Sequence, residues 1–254
     1  KLALFLFLII GLINFQACGT SKSSSEGLEG ELPKEVEDLL NSVDVTWKPS
    51  DNQPVEIPGQ LKRNFEYYKH FDSALDSTKN PNSNYYLDSL LARFDRLEIS
   101  EEECIYLLIG ATDLEGYRDE RLIGLADEVF SLVANKGNEQ EIMTKSDSLL
   151  SIFPLSIAGF YGKFEVYTSA DSEDSRPYYG KMAKLFSAAQ GTGKVGETKR
   201  PYVVLGDDFI WGYTKLHAAG AGYKFIESTH DEYGNKVYHY RVLGNSDYFI
   251  LPKK

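Results

Sequence analysis

The spacing of apolar residues divides this chain into a long helical part and a shorter part of strands. Between residues 33 and 190, apolar side chains recur at every third or fourth position, which is the period of an amphipathic helix. Polar segments such as 80–82 and 170–175 interrupt the pattern and keep each predicted helix short. We therefore expect an array of short antiparallel helices.

These predicted helices resemble tetratricopeptide-like repeats in length and connection. Three residues have the spacing of that repeat's Tyr, Ala and Phe positions: Tyr117, Ala126 and Phe130. Most other repeat positions do not match. Within the array, Ser100–Glu103 forms a capping box, in which serine and glutamate each bond the other's backbone N–H, and it predicts a helix start. Ser83 or Asn84 is expected to cap the preceding helix.

The C-terminal part has the spacing of strands and turns. Tyr202–Leu205 is a short β-type run, and Phe209–Ala218 has helical spacing. Residues 222–254 alternate between apolar and polar positions. Their two turns, at 231–235 and 244–246, predict an antiparallel meander of three strands.

The chain is therefore predicted to have an α+β fold, with a helical region over 33–190 and a mixed region over 191–254. A meander of three strands seldom buries enough apolar surface to fold alone. We expect it to dock on the helices around Phe186 and Phe209. The candidate residues of its aromatic face are Phe225, Tyr238, Tyr240 and Phe249.

The N-terminal residues 1–17 are mostly apolar and end in small Ala17, directly before Cys18. Their apolar core of about 14 residues fits a signal peptide and is short for a bilayer-spanning helix, which needs roughly 20. The arrangement resembles a bacterial lipoprotein signal, in which cleavage before Cys18 precedes acylation, palmitate included. Residues 18–32, rich in Ser, Gly and Glu, predict a flexible tether. The alternative is an uncleaved hydrophobic anchor with an incidental cysteine.

Charge narrows the classes of partner. The side chains carry a net charge of −11, and loss of Lys1 with the signal leaves −12. Nucleic-acid binding needs a basic surface, so this acidity argues against it. The same acidity argues against adsorption of the protein on anionic lipid. The acylated Cys18 alone is therefore expected to attach the protein to the bilayer. The protein is expected in the bacterial cell envelope. It would be anchored at the outer membrane and either face the periplasm or be exposed at the cell surface.

Several segments resemble an uncharacterised family of lipoproteins from gut-type Bacteroidetes, domain of unknown function 4919. They are residues 82–90 (Asn-Ser-Asn-Tyr-Tyr-Leu-Asp-Ser-Leu), 97–102, 107–110, Tyr117, 191–193, 202–204 and the closing strands. The resemblance covers roughly residues 60–250 and departs from the family where Leu108-Ile109-Gly110 replaces Tyr-Tyr-Gly. It implies a lipoprotein and brings no activity or catalytic residue with it.

Two sequence features have structural interpretations. Cys104 is the thiol that remains after lipidation, so it has no partner for an intrachain disulfide, and the preceding carboxylates Glu101–Glu103 would raise its pKa. We expect a buried structural cysteine. Residues 191–194 (Gly-Thr-Gly-Lys) invite comparison with a phosphate-binding loop, but Ala188 and Val195 stand where glycine and Ser or Thr are required. A glycine turn is predicted there, and no cofactor.

Two groups of polar residues are candidate sites. Asp207 and Asp208 with His217 could form an acid/base group, although Asp208 is equally suited to cap a helix beginning at Phe209. A second set could meet across a hairpin and bind a metal: His230, Asp231, Glu232 and His239. It lacks close ligand spacing, so a solvated turn is expected and no metal site is predicted.

The sequence is compatible with two functions. The first is a non-enzymatic lipoprotein that binds an envelope protein or a glycan. The alternative is an envelope hydrolase with a site around Asp208 and His217. A nucleophile elbow and a paired Cys/His motif are both missing from the sequence, which favours binding.

Overall fold

The computed structural model describes residues 65–194, 196–217 and 222–253. Within these ranges eight α-helices precede a four-stranded mixed sheet, so the predicted α+β class is confirmed. The helices are α1 (Tyr67–Lys79), α2 (Leu87–Asp95), α3 (Glu101–Gly110), α4 (Glu120–Ala134), α5 (Glu139–Ile152), α6 (Ile157–Ser169), α7 (Ser175–Thr192) and α8 (Asp207–Gly212). The predicted signal peptide, Cys18, the tether and the helix expected from Pro33 lie outside the described residues.

Local hydrogen bonds explain where the helices start. At α3 the capping box is confirmed: Glu103 N donates to Ser100 Oγ at 3.2 Å, and Ser100 N donates to Glu103 Oε2 at 2.8 Å. The expected cap of α2 by Ser83 or Asn84 is wrong. Tyr86 occupies that position without a side-chain cap, because Ser83 Oγ accepts the N–H of Tyr85 within a preceding turn. None of the described helices is both long and apolar enough to span a bilayer.

Helix α7 corrects the predicted glycine turn at 191–194, because the helix continues to Thr192. Thr192 Oγ1 donates to the carbonyl of Ala189 at 2.7 Å and accepts the N–H of Val203 at 2.8 Å, so its side chain joins the helix end to a strand. Gly193 then ends the helix. A β-carbon at Gly193 would lie 2.1 Å from the Tyr202 ring, so the close approach of the two segments requires glycine.

The sheet contains β1 (Tyr202–Val203), β2 (Lys224–His230), β3 (Lys236–Val242) and β4 (Asn245–Leu251) in the order β1-β4-β3-β2. The predicted meander corresponds to β2, β3 and β4, which pair antiparallel. This three-strand meander is confirmed. The β-type run predicted at 202–205 contains β1, which adds in parallel to β4, with Tyr202 opposite Phe249. Two residues are too few to show an alternating pattern, so the sequence did not indicate where β1 pairs.

One hydrophobic core joins the sheet to the helices. Phe249 is fully buried and lies 5.4 Å, between ring centroids, from Tyr213, which follows α8. Tyr213 in turn contacts Phe186 of α7, and Phe186 meets Phe209 edge-to-face at 5.5 Å. The sheet therefore packs near the two phenylalanines expected from the sequence. Of the four candidate aromatic residues, Phe225 is the exception, since it is exposed.

Replacing Gly162 of α6 with alanine is expected to reduce stability by about 1–3 kcal/mol, the cost of overpacking a core. A β-carbon there would lie 2.2 Å from Ser146 Oγ of α5 and 2.9 Å from Val129 Cγ1 of α4. Gly124 of α4 is a matched control: its β-carbon would meet nothing within 4 Å, so Gly124→Ala should stabilise the helix by about 0.5–1 kcal/mol. Urea unfolding of both variants measures this, and equal shifts would contradict the packing described.

Candidate binding cleft

An open cleft of about 750 Å³ lies between helix α4, the segment around α8 and the sheet. Its size falls in the range of small-ligand sites, roughly 300–1,000 Å³. One wall is a face of α4 whose members are separated by three or four residues: Glu120, Ile123, Asp127 and Phe130. Asp119 caps this helix by accepting the N–H of Arg121 at 2.9 Å and so fixes where the wall begins.

Aromatic rings form the apolar part of the cleft. Phe130 of α4 stacks on Trp211 of α8, with ring centroids 3.8 Å apart and planes 24° from parallel. Tyr161 of α6 contacts both rings, with centroid distances of 5.9 Å to Phe130 and 5.5 Å to Trp211. The aromatic pair therefore packs against α6, while Ile123, which also lines the cleft, is 57% exposed.

The sheet supplies the facing wall through Tyr223, Phe225, Lys236 and Tyr240. Phe225 is 50% exposed, and its ring meets Tyr240 edge-to-face at 5.4 Å. Lys236 Nζ lies 4.5 Å from the Tyr238 ring centroid and 4.0 Å from Asp207 Oδ1. The wall thus combines exposed apolar surface with a cation that is only partly neutralised.

Charges of both signs border the cleft. Arg118 and Lys215 have no ion-pair partner among the described residues, and the same holds for Glu120 and Asp127 on α4. Arg118 has a backbone φ of +59°, in the left-handed region that non-glycine residues seldom adopt. Unpaired charges that surround an apolar surface are available to a polar ligand.

Asp208, a candidate of the sequence analysis, ties α8 to the start of α6. Its Oδ2 accepts the hydroxyl of Ser156 at 3.1 Å and the N–H of Ala158 at 3.2 Å, and its Oδ1 accepts the N–H of Phe209 at 2.8 Å. Desolvation raises the pKa of Asp208, and these hydrogen bonds oppose the rise. The expected cap before Phe209 is wrong in detail, since Gly206 is the N-cap of α8. Ser156 is the N-cap of α6, and Asp208 adds two hydrogen bonds at that helix start.

The other carboxylate of the pair points elsewhere. Asp207 is exposed on the cleft side and accepts the hydroxyl of Tyr238. The side chain of His217, the third member of that candidate group, lies outside the described residues. The described contacts of Asp208 are with helix starts and a serine hydroxyl, which gives this carboxylate a structural role.

The second candidate group does not converge on a point. Asp231 accepts the backbone N–H groups of Tyr233 and Asn235 at 3.0 and 2.8 Å, and it holds the turn between β2 and β3. Burial alone would raise the pKa of Asp231, but the hydrogen bonds from Asn235 and Tyr68 lower it. His239 instead bonds Ser246 Oγ at 2.9 Å. Within the described ranges, no three His, Cys, Asp or Glu side chains are placed to hold a metal ion.

Cys104 has the structural environment that was expected. It is buried in α3, and burial raises the pKa of its thiol to about 12; nearby Lys184 opposes the rise, and Glu103 and Glu101 add smaller increases. The thiol is therefore protonated at neutral pH and is not a nucleophile.

Asp247 of β4 was not singled out by the sequence, yet it is a buried carboxylate with an unsatisfied oxygen. The residue is 1% exposed; Oδ2 accepts the Tyr223 hydroxyl at 2.6 Å, and Oδ1 has no hydrogen-bond partner among the described residues. Desolvation raises the pKa of Asp247 against the smaller effect of the Tyr223 hydrogen bond. Alternation would have placed this residue on the apolar face of β4, but an aspartate at such a position gives no recognisable signal.

Because the folded-state pKa of Asp247 is raised, the carboxyl group favours the folded state only while it is protonated. Its contribution is complete below the pKa of the unfolded chain, near 4, and is lost as the pH rises toward the folded pKa. Asp247→Asn should therefore stabilise the protein at pH 7 by about 1–3 kcal/mol, and the gain should shrink on acidification toward pH 3. Denaturant titration at both pH values measures this. A loss of stability at pH 7 would show that the buried charge is compensated.

Comparisons with protein-family models, with curated proteins and with solved structures find no match to this chain. The resemblance to domain of unknown function 4919 therefore stays a prediction from residues 60–250.

Proposed function

We propose that this chain is a lipoprotein of the bacterial cell envelope, anchored at the outer membrane through acylated Cys18, and that it binds a protein segment or a glycan in the cleft. The observation that carries the binding proposal is the cleft itself, which is lined by the stacked Phe130 and Trp211, by exposed Ile123 and by charged groups that have no ion-pair partner among the described residues. Ligand sites of this kind combine a largely apolar lining with a few polar groups that orient the ligand.

The hydrogen bonds of Asp208 favour a binding function over a catalytic one. A general base needs a side chain that is free to reach a substrate proton. Asp208 is instead engaged by Ser156, Ala158 and Phe209. The alternative, a hydrolase around Asp208 and His217, would use a group whose described hydrogen bonds already hold two helices together.

Screening of the full chain, purified from membranes in detergent, against a glycan array and a random peptide library tests this proposal. Ile123→Arg should abolish most of the binding, since the new side chain projects from an exposed position into the cleft. Leu243→Arg is the matched control: Leu243 is 62% exposed, similar to Ile123, and does not line the cleft. Equal binding by both variants, or turnover of a hydrolase substrate that His217→Ala abolishes, would overturn the proposal.

A further inference from the structure

Strand β2 lies at the outer edge of the sheet, and each of its residues from Lys224 to His230 is exposed. Among the described residues, β3 is the strand that pairs with it, on one side only. An edge strand presents backbone N–H and C=O groups on its open side, and these can template pairing with another chain. The edge is also in the right place, because Phe225 of β2 lines the cleft.

The side chains of this edge are more apolar than an edge strand usually allows. Phe225 and Ile226 are both exposed large hydrophobic residues, next to each other on the strand. Natural edge strands are commonly protected by charges, proline or bulges. In β2 a register shift between Phe225 and Glu227 gives part of that protection. The exposed side chains of Phe225 and Ile226 reduce it, because they offer an apolar surface to another strand.

A second copy of this chain would place like charges together in one register of the edge. In a two-fold antiparallel pairing centred on Glu227, that carboxylate would stand opposite its own copy. Like charges directly opposite each other destabilise paired strands. Glu227 therefore disfavours a symmetric dimer in that register.

We propose that β2 takes up an extended segment of a partner protein as an additional strand, with one of its apolar side chains beside Phe225 and a basic side chain toward Glu120 and Asp127 of α4. The proposal rests on the proposed function, because it assigns the ligand of the same cleft. Backbone hydrogen bonds supply affinity in this mode of recognition, and pockets for alternate side chains supply specificity. Charge complementarity places a basic residue beside α4, since Glu120 and Asp127 have no ion-pair partner among the described residues. Arg118 and Lys215 also lack such a partner and would take an acidic group of the same segment.

A glycan explains fewer of these observations. It would stack on the aromatic pair and bond the charged rim, but it would leave the open backbone groups of β2 unused. An extended peptide satisfies the backbone edge, the exposed Phe225 and the acidic face of α4 together.

The test is selection of short random peptides displayed on phage against the detergent-purified full chain, followed by fluorescence anisotropy with synthetic peptides. Selected peptides should alternate apolar and basic residues. N-methylation at one of the two alternating sets of backbone nitrogens should weaken binding about tenfold or more, because those N–H groups pair with β2. Phe225→Asp should weaken binding by a similar factor, and Leu243→Asp, outside the cleft, should leave it unchanged.

Three results would overturn the proposal. They are selection of no peptide, selected peptides that tolerate N-methylation of either set, and a concentration-dependent dimer that cross-links through β2. Glycan binding that Ile123→Arg abolishes, without peptide binding, would end this inference and leave the proposed function standing. Indifference of every ligand to Ile123→Arg would end both.

Discussion

Replacing Asp208 with alanine is expected to lower the free energy of unfolding by about 3 kcal/mol, the largest stability effect of any change considered. The variant removes the acceptor for the N–H groups of Ala158 and Phe209 and for the hydroxyl of Ser156. These donors lie at two helix starts, where a lost cap costs about 1 kcal/mol and an unsatisfied buried donor costs about 1–3 kcal/mol. Thermal and urea unfolding measure the loss.

Asp207→Ala is the matched control for that experiment. The neighbouring carboxylate is exposed, accepts one hydroxyl, from Tyr238, and lies 4.0 Å from Lys236 Nζ, so its removal should cost no more than about 1 kcal/mol. The loss of stability in Asp208→Asn should lie between those of the two alanine variants. The amide oxygen still accepts a hydrogen bond, but the amide NH2 is a donor and would face the N–H or O–H donors that the second carboxylate oxygen accepts. A fully stable Asp208→Ala protein would contradict the structural role and would return this carboxylate to the hydrolase hypothesis.

Replacing Cys18 with alanine is expected to abolish acylation and leave an unprocessed precursor. The prediction rests on the sequence around residues 1–18, which lies outside the described structure. Each methylene of a buried acyl chain contributes about 0.8 kcal/mol to membrane affinity, so the acyl chains are expected to hold the wild-type protein in the membrane, whereas the precursor keeps the uncleaved apolar residues 1–17 instead. Mass spectrometry of the N-terminus measures both the missing acyl chains and the uncleaved signal.

Cys104→Ala separates the role of position 18 from that of the other thiol. Cys104 is buried in α3, so its replacement should leave acylation and membrane partitioning unchanged. The same acylated N-terminus in Cys18→Ala as in the wild type would refute the lipoprotein proposal. If Cys104→Ala folded normally but lost acylation, the lipid would be attached to Cys104 and the assignment to Cys18 would be wrong.

Local interactions made much of the fold predictable. The capping box at Ser100 joins residues three apart, so sequence alone was enough to place the start of α3. The β2–β4 meander followed from turn residues and alternating side chains in the same way. These signals are carried by neighbours in the chain, and their meaning does not depend on the rest of the fold.

Tertiary partners account for what was mispredicted. Helix α7 passes through Gly191 because Thr192 bonds Val203 across the core, a contact that no local pattern contains. Asp208 looked like a cap for its own helix; it bonds the N–H of Phe209 there and also the N–H of Ala158 at the start of α6, some fifty residues earlier in the chain. In both cases a distant backbone group is bonded in addition to a local one.

The cleft was not predictable for a related reason. Its walls come from α4, α8 and the sheet, three segments with no common sequence motif. The helical spacing of Ile123 and Phe130 indicated an apolar face on α4, but such a face is normally buried in a helical array. Ile123 instead remains exposed, and only the three-dimensional arrangement of the helices and strands shows this.

Hydrogen–deuterium exchange of the detergent-purified full chain, with and without the ligand selected by screening, tests the binding site most directly. Exchange should slow in α4, around α8 and in β2 and β3, which together line the cleft. It should be unchanged in α2 and α5, which contribute no residue to the lining. Protection confined to helices away from the cleft, with none in α4 or β2, would contradict the assignment of the cleft as the binding site.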